Sequence, residues 1–307
     1  MKKTFKTLDE QIEILQAKGL QISDVEYAKE ILLRENYFFI SGYRHLFMQG
    51  GQKIFIEGST FNQLYAVFHF DRHIRNIIFK NILIIENNIK SIIAYQLSKK
   101  YGIKERDYLN PDNFNTNPAK KKQVADLIKK MKRQITVNGG QHTATKYYQE
   151  KYHYIPLWIV VKILSFGIVG ELFLILKSED QKIIADYFGV EVEELIVNLP
   201  ILANYRNLCA HEDILYDHRT QKEIFDTRYH KELNVPLLNG QYIYGKNDLF
   251  ALIIILKEML RADDFFLMIN EISNEISLLE KKLSAVSIEK VLDVMGFPLN
   301  YKDLVRL

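Results

Sequence analysis

Residues 61–102 read FNQLYAVFHFDRHIRNIIFKNILIIENNIKSIIAYQLSKKYG, and the spacing of their apolar side chains decides the fold class. Leu64, Phe68, Ile74, Ile78, Ile82, Ile85, Ile89 and Ile93 recur mostly at intervals of three and four. That is the period of a helix, and the result is a wide apolar stripe. Ser59 or Thr60 can cap its start through a side-chain oxygen, and Gly102 can end it. The segment predicts one long helix with enough apolar surface to organise a bundle.

Helical periodicity extends outward on both sides. Asp9–Lys18 and Asp24–Arg34 read as two short helices separated by Gly19, a small amino-terminal cap. Downstream come a basic helix, a segment around Trp158, a helix near Asp180–Phe188, a segment carrying RNLCAH at 206–211, and two terminal helices around Asp248–Leu260 and Asp264–Leu283. Strand signals are confined to QKIFIEG at 52–58 and NVPLLNGQYIYG at 234–245, where Asn239-Gly240 is a hairpin-turn dipeptide. The expected architecture is mainly α. It has an amino-terminal helical extension over 1–58, a helical core over 59–307 with a basic helical insertion at about 115–140, and minor β-hairpin decoration.

The 307 residues are 48% apolar and 26% charged, ordinary for a globule with a substantial core. IPLWIVVKILSFGIVGELFLILK, residues 155–177, is long enough to cross a bilayer, but Lys162 and Glu171 would each be buried in it at a cost of about 3 kcal/mol. Two short core helices meeting near Ser165-Phe166-Gly167 are the better reading, with no membrane partner. The amino terminus lacks the apolar run of a signal peptide, and the single cysteine, Cys209, has no disulfide or CxxC partner, so a cytoplasmic location is expected.

The net charge of +3 is modest, yet residues 119–133 hold Lys120, Lys121, Lys122, Lys129, Lys130, Lys132 and Arg133 against the single carboxylate Asp126. Such a stripe suits a phosphate backbone, and it suits a solvated helix face equally well.

Phosphate loops and the serine-hydrolase elbow are missing from the sequence, so triphosphate hydrolysis and serine chemistry lack their usual parts. His69 and His73 share a helix face but have Phe70 where a zinc peptidase needs glutamate, and no third ligand follows; no metal or other cofactor is expected. Asp71, Arg72 and Arg75, with Glu86 and Lys90 further along, suggest either a buried ion-pair network that sets helix packing or support for a phosphate site.

In RNLCAH, Asn207 and His211 lie one turn apart, whereas Arg206 is rotated about 140° from His211. One isolated helix does not aim all three at a point. A long arginine reaching round, or a second copy of the helix, would complete the set. The residue types suit metal-independent RNA cleavage: an imidazole exchanges protons with a ribose 2′-OH or a 5′-oxygen, and a guanidinium stabilises developing phosphoryl charge.

RNLCAHEDILYDHR resembles the RN-x-CAH signature of bacterial abortive infection (Abi) proteins of the AbiD/AbiF type, members of the HEPN superfamily. LDEQIEILQAKGL with NYFFISGYRHLF, FDRHIRNIIFKNILIIENNIKSII and YIPLWIVVKILSFG are similar, in order, to other segments of that family. The resemblance implies a HEPN-like helical bundle in which Arg206, Asn207 and His211 act as ribonuclease residues, usually in a site shared by two HEPN units. It also implies a phage-defence toxin of the abortive-infection or toxin–antitoxin kind, for some relatives restrained by a small structured noncoding RNA. The chain departs from many relatives after His211, where Glu212 and ILYDHR replace a second histidine and an LWNR-like ending.

The resulting expectation is a homodimeric endoribonuclease with Arg206, Asn207 and His211 as catalytic residues. Lys120, Lys121, Lys122, Lys129, Lys130, Lys132 and Arg133 would contact RNA, and Asp71, Arg72, Arg75 and Glu86 would support the site or the packing. The alternative is a module that binds a structured regulatory RNA without cutting it.

Overall fold

The computed structural model describes residues 4–48, 50 and 53–307. Among them, α-helices account for almost all regular structure. In chain order they are α1 (Leu8–Ala17), α2 (Val25–Glu35), α3 (Tyr37–Gly42), α4 (Phe61–Tyr101), α5 (Glu105–Tyr108), α6 (Lys121–Asn138), α7 (Thr143–Tyr152) and α8 (Leu157–Val160). They continue with α9 (Phe166–Ile175), α10 (Ser178–Asp186), α11 (Val192–Ala210), α12 (Arg228–Glu232), α13 (Leu249–Met259), α14 (Ala262–Glu280) and α15 (Ile288–Met295). The protein is a mainly helical bundle, as the periodicity predicts.

The axis of the bundle is α4, whose 41 residues span about 60 Å. Thr60 caps it by accepting the Gln63 N–H, and Gly102 ends it at φ 102°, a conformation that favours glycine. Ile74, Ile78, Ile82, Ile85, Ile89 and Ile93 are all fully buried. Each contributes about 1.5–3 kcal/mol of apolar burial. Around this stripe pack α14, α11, α8, α10 and α9. The side chain of Gln63 fixes the start of α4 by accepting the N–H groups of Ser284 and Ala285 at 3.0 and 2.9 Å.

The most enclosed helix is α13, in which every residue from Leu249 to Leu256 is buried. A helix apolar on all sides belongs at the centre of a large core. The amino-terminal pair α1 and α2 packs together, and the Gln21–Thr60 bridge ties their connection to the start of α4.

Two expectations change in detail. Of the proposed strand at 52–58, Gln52 lies outside the described residues, and the rest forms only an isolated bridge from Phe55 to Met48. A single pairing leaves it without the ladder a strand needs. The loop placed around TVNGGQHT begins later than expected, because α6 continues to Asn138 before Gly139. The hairpin at Asn239-Gly240 forms as Leu237–Leu238 paired with Gln241–Tyr242, and both turn residues have positive φ, 52° and 80°. The apolar run at 155–177 divides into α8 and α9, with Ser165 capping α9 through the Ile168 N–H. Among the described residues no helix is long and apolar enough to cross a membrane.

In the last turn of α13, burial, reinforced by the charge of Glu194, pushes the Glu258 carboxyl from its ordinary 4.5 up to about 7. A carboxyl with a raised folded-state pKa is most compatible with folding below its unfolded pKa, and stability is lost as pH rises from about 4.5 to about 7. Glu258→Gln is therefore expected to raise the melting temperature more at pH 8 than at pH 5, by an amount equivalent to at most about 3 kcal/mol. Equal shifts at the two pH values, in paired thermal melts, would contradict this.

Candidate functional site

The RNLCAH segment closes α11. Tyr205, Leu208 and Cys209 face the core, Arg206 sits at the edge of the buried face, and Asn207 and His211 are exposed. Burial pushes the Cys209 thiol up to about 12, so it stays a neutral packing group. The helix stops at His211, whose N–H still reaches the Asn207 carbonyl at 3.0 Å. Glu212 then adopts φ 56°, and the Glu212 and Asp213 N–H groups fold back to the carbonyls of Cys209 and Leu208. This is a Schellman-type ending with glutamate where glycine is favoured.

A buried polar clamp holds the turn that follows. Asp71 on α4 is fully buried and accepts the Tyr43 hydroxyl at 2.6 Å, the Leu215 N–H at 3.1 Å and the Tyr216 N–H at 2.8 Å. Arg75, one turn along α4, pairs with Asp71 and donates to the Asp213 carbonyl at 3.2 Å and to Tyr43 Oη at 3.1 Å. Burial pushes the Asp71 carboxyl up, and Arg75, Tyr43 and the two backbone N–H groups oppose it. Tyr43 also stacks on Tyr216, with ring centroids 5.6 Å apart. The α3 backbone lies close to this turn: a Cβ on Gly42 would fall 2.6 Å from Ile214 Cδ1. Two helices and one charged pair thus set the path of the chain immediately after His211.

Arg72 has a different task. It grips Glu35 of α2 with two parallel bonds of 3.0 and 2.6 Å, lies over the Phe68 ring, and reaches within 3.8 Å of Glu212.

Arg206 turns toward α4, not toward His211. Its Nε donates to Glu86 Oε2 at 3.3 Å, and its guanidinium lies 5.7 Å from the Phe79 ring centroid. Glu86 is buried and also accepts Lys90 Nζ at 2.7 Å, so one carboxylate serves two cations. The Nη atoms of Arg206 have no hydrogen-bond partner among the described residues, and its side chain is 33% exposed. Anchored by Nε and open at the fork, Arg206 can receive an oxyanion. The side chains of Asn207 and His211 likewise make no hydrogen bond among the described residues. The structure thus brings Arg206 to Glu86 and leaves His211 as an exposed imidazole at the helix end, without joining the two.

On α6, Val124, Leu127, Ile128 and Met131 are buried, and α6 packs on α9. Two of the seven cations are engaged: Lys120 Nζ donates to the Leu174 carbonyl at 2.9 Å and Lys130 pairs with Glu171 at 2.7 Å. Lys121, Lys122, Lys129, Lys132 and Arg133 are exposed and have no carboxylate partner among the described residues. His73 pairs with Glu275 at 2.8 Å and His69 packs edge-on against Tyr65. Among the described residues no group of three or more His, Cys, Asp and Glu is placed to hold a metal ion.

Sequence reasoning passed over Tyr43 and Glu35. Nothing local marks either, because their partners are 28 and 37 residues away. It also passed over His218, which bonds Asn204 Oδ1 at 2.8 Å and meets Tyr205 edge-on; burial pushes its imidazole below the ordinary value.

Asp71→Asn removes the counter-charge of a buried Arg75 and is expected to cost about 3–5 kcal/mol in urea unfolding, with faster proteolysis at 211–216. A cost below about 1 kcal/mol would mean that the clamp does not hold the turn. Glu212→Gly relieves the left-handed conformation and should stabilise by about 0.5–1 kcal/mol, since the lost contact to Arg72 is long and exposed. A fall in melting temperature would refute that.

No curated protein and no solved structure matches this chain. The sequence profile of Abi-like proteins matches residues 30–217. The matched region covers more than half of the chain and takes in α4, the Asp71 clamp, Glu86 and the whole of RNLCAH, so this chain belongs to the Abi-like protein family.

Proposed function

We propose that this chain is a HEPN-type, metal-independent endoribonuclease that acts in the cytoplasm as an abortive-infection toxin of phage defence. The observation that carries the reading is the state of the RNLCAH helix end. His211 presents an unpartnered imidazole on a clamped turn, and Arg206, held by Glu86, keeps its fork open. Membership of the Abi-like family supports the defence role.

In this reading the 2′-OH of the substrate is the nucleophile. It loses its proton to an imidazole, its oxygen bonds to phosphorus, the P–O5′ bond breaks, and the 5′-oxygen takes a proton. The products are a 2′,3′-cyclic phosphate and a 5′-OH end. His211 serves as base or acid, Arg206 stabilises charge on the non-bridging oxygens, and Asn207 positions the substrate. An internal nucleophile and a positioned acid–base group supply the chemistry without calling on a metal. Because Arg206 and His211 lie on different sides of α11, a second copy that sets its own helix end against the first would complete the site, which favours a homodimer. The exposed cations of α6 also support a module that binds a structured regulatory RNA without cutting it.

The test is cleavage of single-stranded RNA by purified protein in the presence of a chelator, with end-group analysis. The unaltered protein is expected to leave 2′,3′-cyclic phosphate ends. Arg206→Ala and His211→Ala should each lower the rate by about 10²–10⁴-fold, His211→Ala with unchanged melting temperature. Cleavage by His211→Ala at the unaltered rate would overturn the assignment. Salt-sensitive binding with no cleavage by any form would establish the non-cleaving module instead.

A further inference from the structure

One helical turn beyond Glu86, a groove of about 940 Å³ opens between the carboxy-terminal half of α4 and the region around α8. Lys90, Tyr95, Ser98 and Lys99 line it from α4, and Trp158 and Lys162 from the other wall. No aspartate or glutamate contributes to its lining. Tyr95 is 59% and Trp158 41% exposed, large aromatic faces left in water. Lys99 and Lys162 have no carboxylate partner among the described residues, and Ser98 Oγ is a buried hydroxyl with no hydrogen-bond partner there. Lys90 connects this groove to the candidate site, since the carboxylate that holds it also holds Arg206.

Cations that track a phosphate backbone, alternating with aromatic faces on which bases stack, make a surface for single-stranded nucleic acid. A surface with only a solubilising role has no need of a tryptophan exposed beside a cavity. We infer that the groove between α4 and α8 is the channel that grips single-stranded RNA, with Trp158 and Tyr95 as stacking faces and Lys99 and Lys162 as backbone contacts. The choice of RNA rests on the nuclease reading above; the aromatic and cationic walls stand without it. Between Lys90 and Lys99 the helix rises about 14 Å, enough for a short run of extended nucleotides leading toward Arg206.

Trp158 is the only tryptophan in the chain, so its fluorescence reports on the groove directly. The probe is a 2′-O-methyl RNA of about 12 nucleotides, which lacks the nucleophile and remains intact. Titrating it into the unaltered full chain should quench Trp158 saturably. Trp158→Ala, followed by anisotropy, should weaken binding about 5- to 100-fold. Lys99→Glu with Lys162→Glu should weaken it at least about tenfold and flatten the salt dependence. Lys231→Glu, the same kind of charge reversal at one site on α12, should leave it unaltered. Binding without quenching, no binding, or the same affinity in the double variant would each overturn the channel, and the first two need no variant to fold.

Cleavage of unmodified RNA, measured alongside, separates this inference from the nuclease reading. Quenching without cleavage keeps the channel and removes the nuclease. Cleavage with an unchanged KM in the double variant keeps the nuclease and removes the channel.

Discussion

The candidate site depends on one buried charge. Asp71, with no solvent exposure, gathers Arg75 from one turn along α4, and a tyrosine hydroxyl and two backbone N–H groups from segments 28 to 145 residues away. A buried carboxylate without those donors would be strongly unfavourable, so the donors must arrive together. Their arrival closes the turn after α11 on the amino-terminal half of α4. What the network secures is the place of His211 at the end of its helix.

A second shared carboxylate does for the guanidinium what Asp71 does for the turn. Glu86 holds Arg206 on one side and Lys90 on the other, beside the isoleucine stripe of α4. The arginine spends one donor on this anchor and keeps its planar fork. Helix α4 is therefore more than a core element. Its isoleucine stripe supplies the packing, and four of its polar residues, Asp71, Arg75, Glu86 and Lys90, orient the groups around RNLCAH.

Much of this was legible in the residues themselves. The isoleucine spacing marked α4, the Ser59-Thr60 pair and Gly102 marked its ends, and Asn239-Gly240 marked the hairpin, all through contacts within a few residues. Asp71, Arg72 and Arg75 share one helix, which is the basis of the ion-pair reading, and Asp71 pairs with Arg75. The strand proposed at 52–58 misled because alternation in a short apolar run states a preference and does not supply a neighbour to pair with. The seven cations between residues 120 and 133 differ in a way their spacing does not show. Lys120 and Lys130 are already occupied by Leu174 and Glu171, which no count of charges reveals.

By itself the sequence determined the helical class, the long axis of the bundle and the family, because periodicity, capping and motif order are local properties of the chain. Only the tertiary structure decided that Arg206 faces Glu86 and not His211, that Tyr43 completes the Asp71 clamp, and that lysines and aromatics from α4 and the α8 region share one groove. These are encounters between residues separated by 28 to 120 positions. Packing of the apolar stripe brings them together, and no local pattern encodes which polar group each will meet.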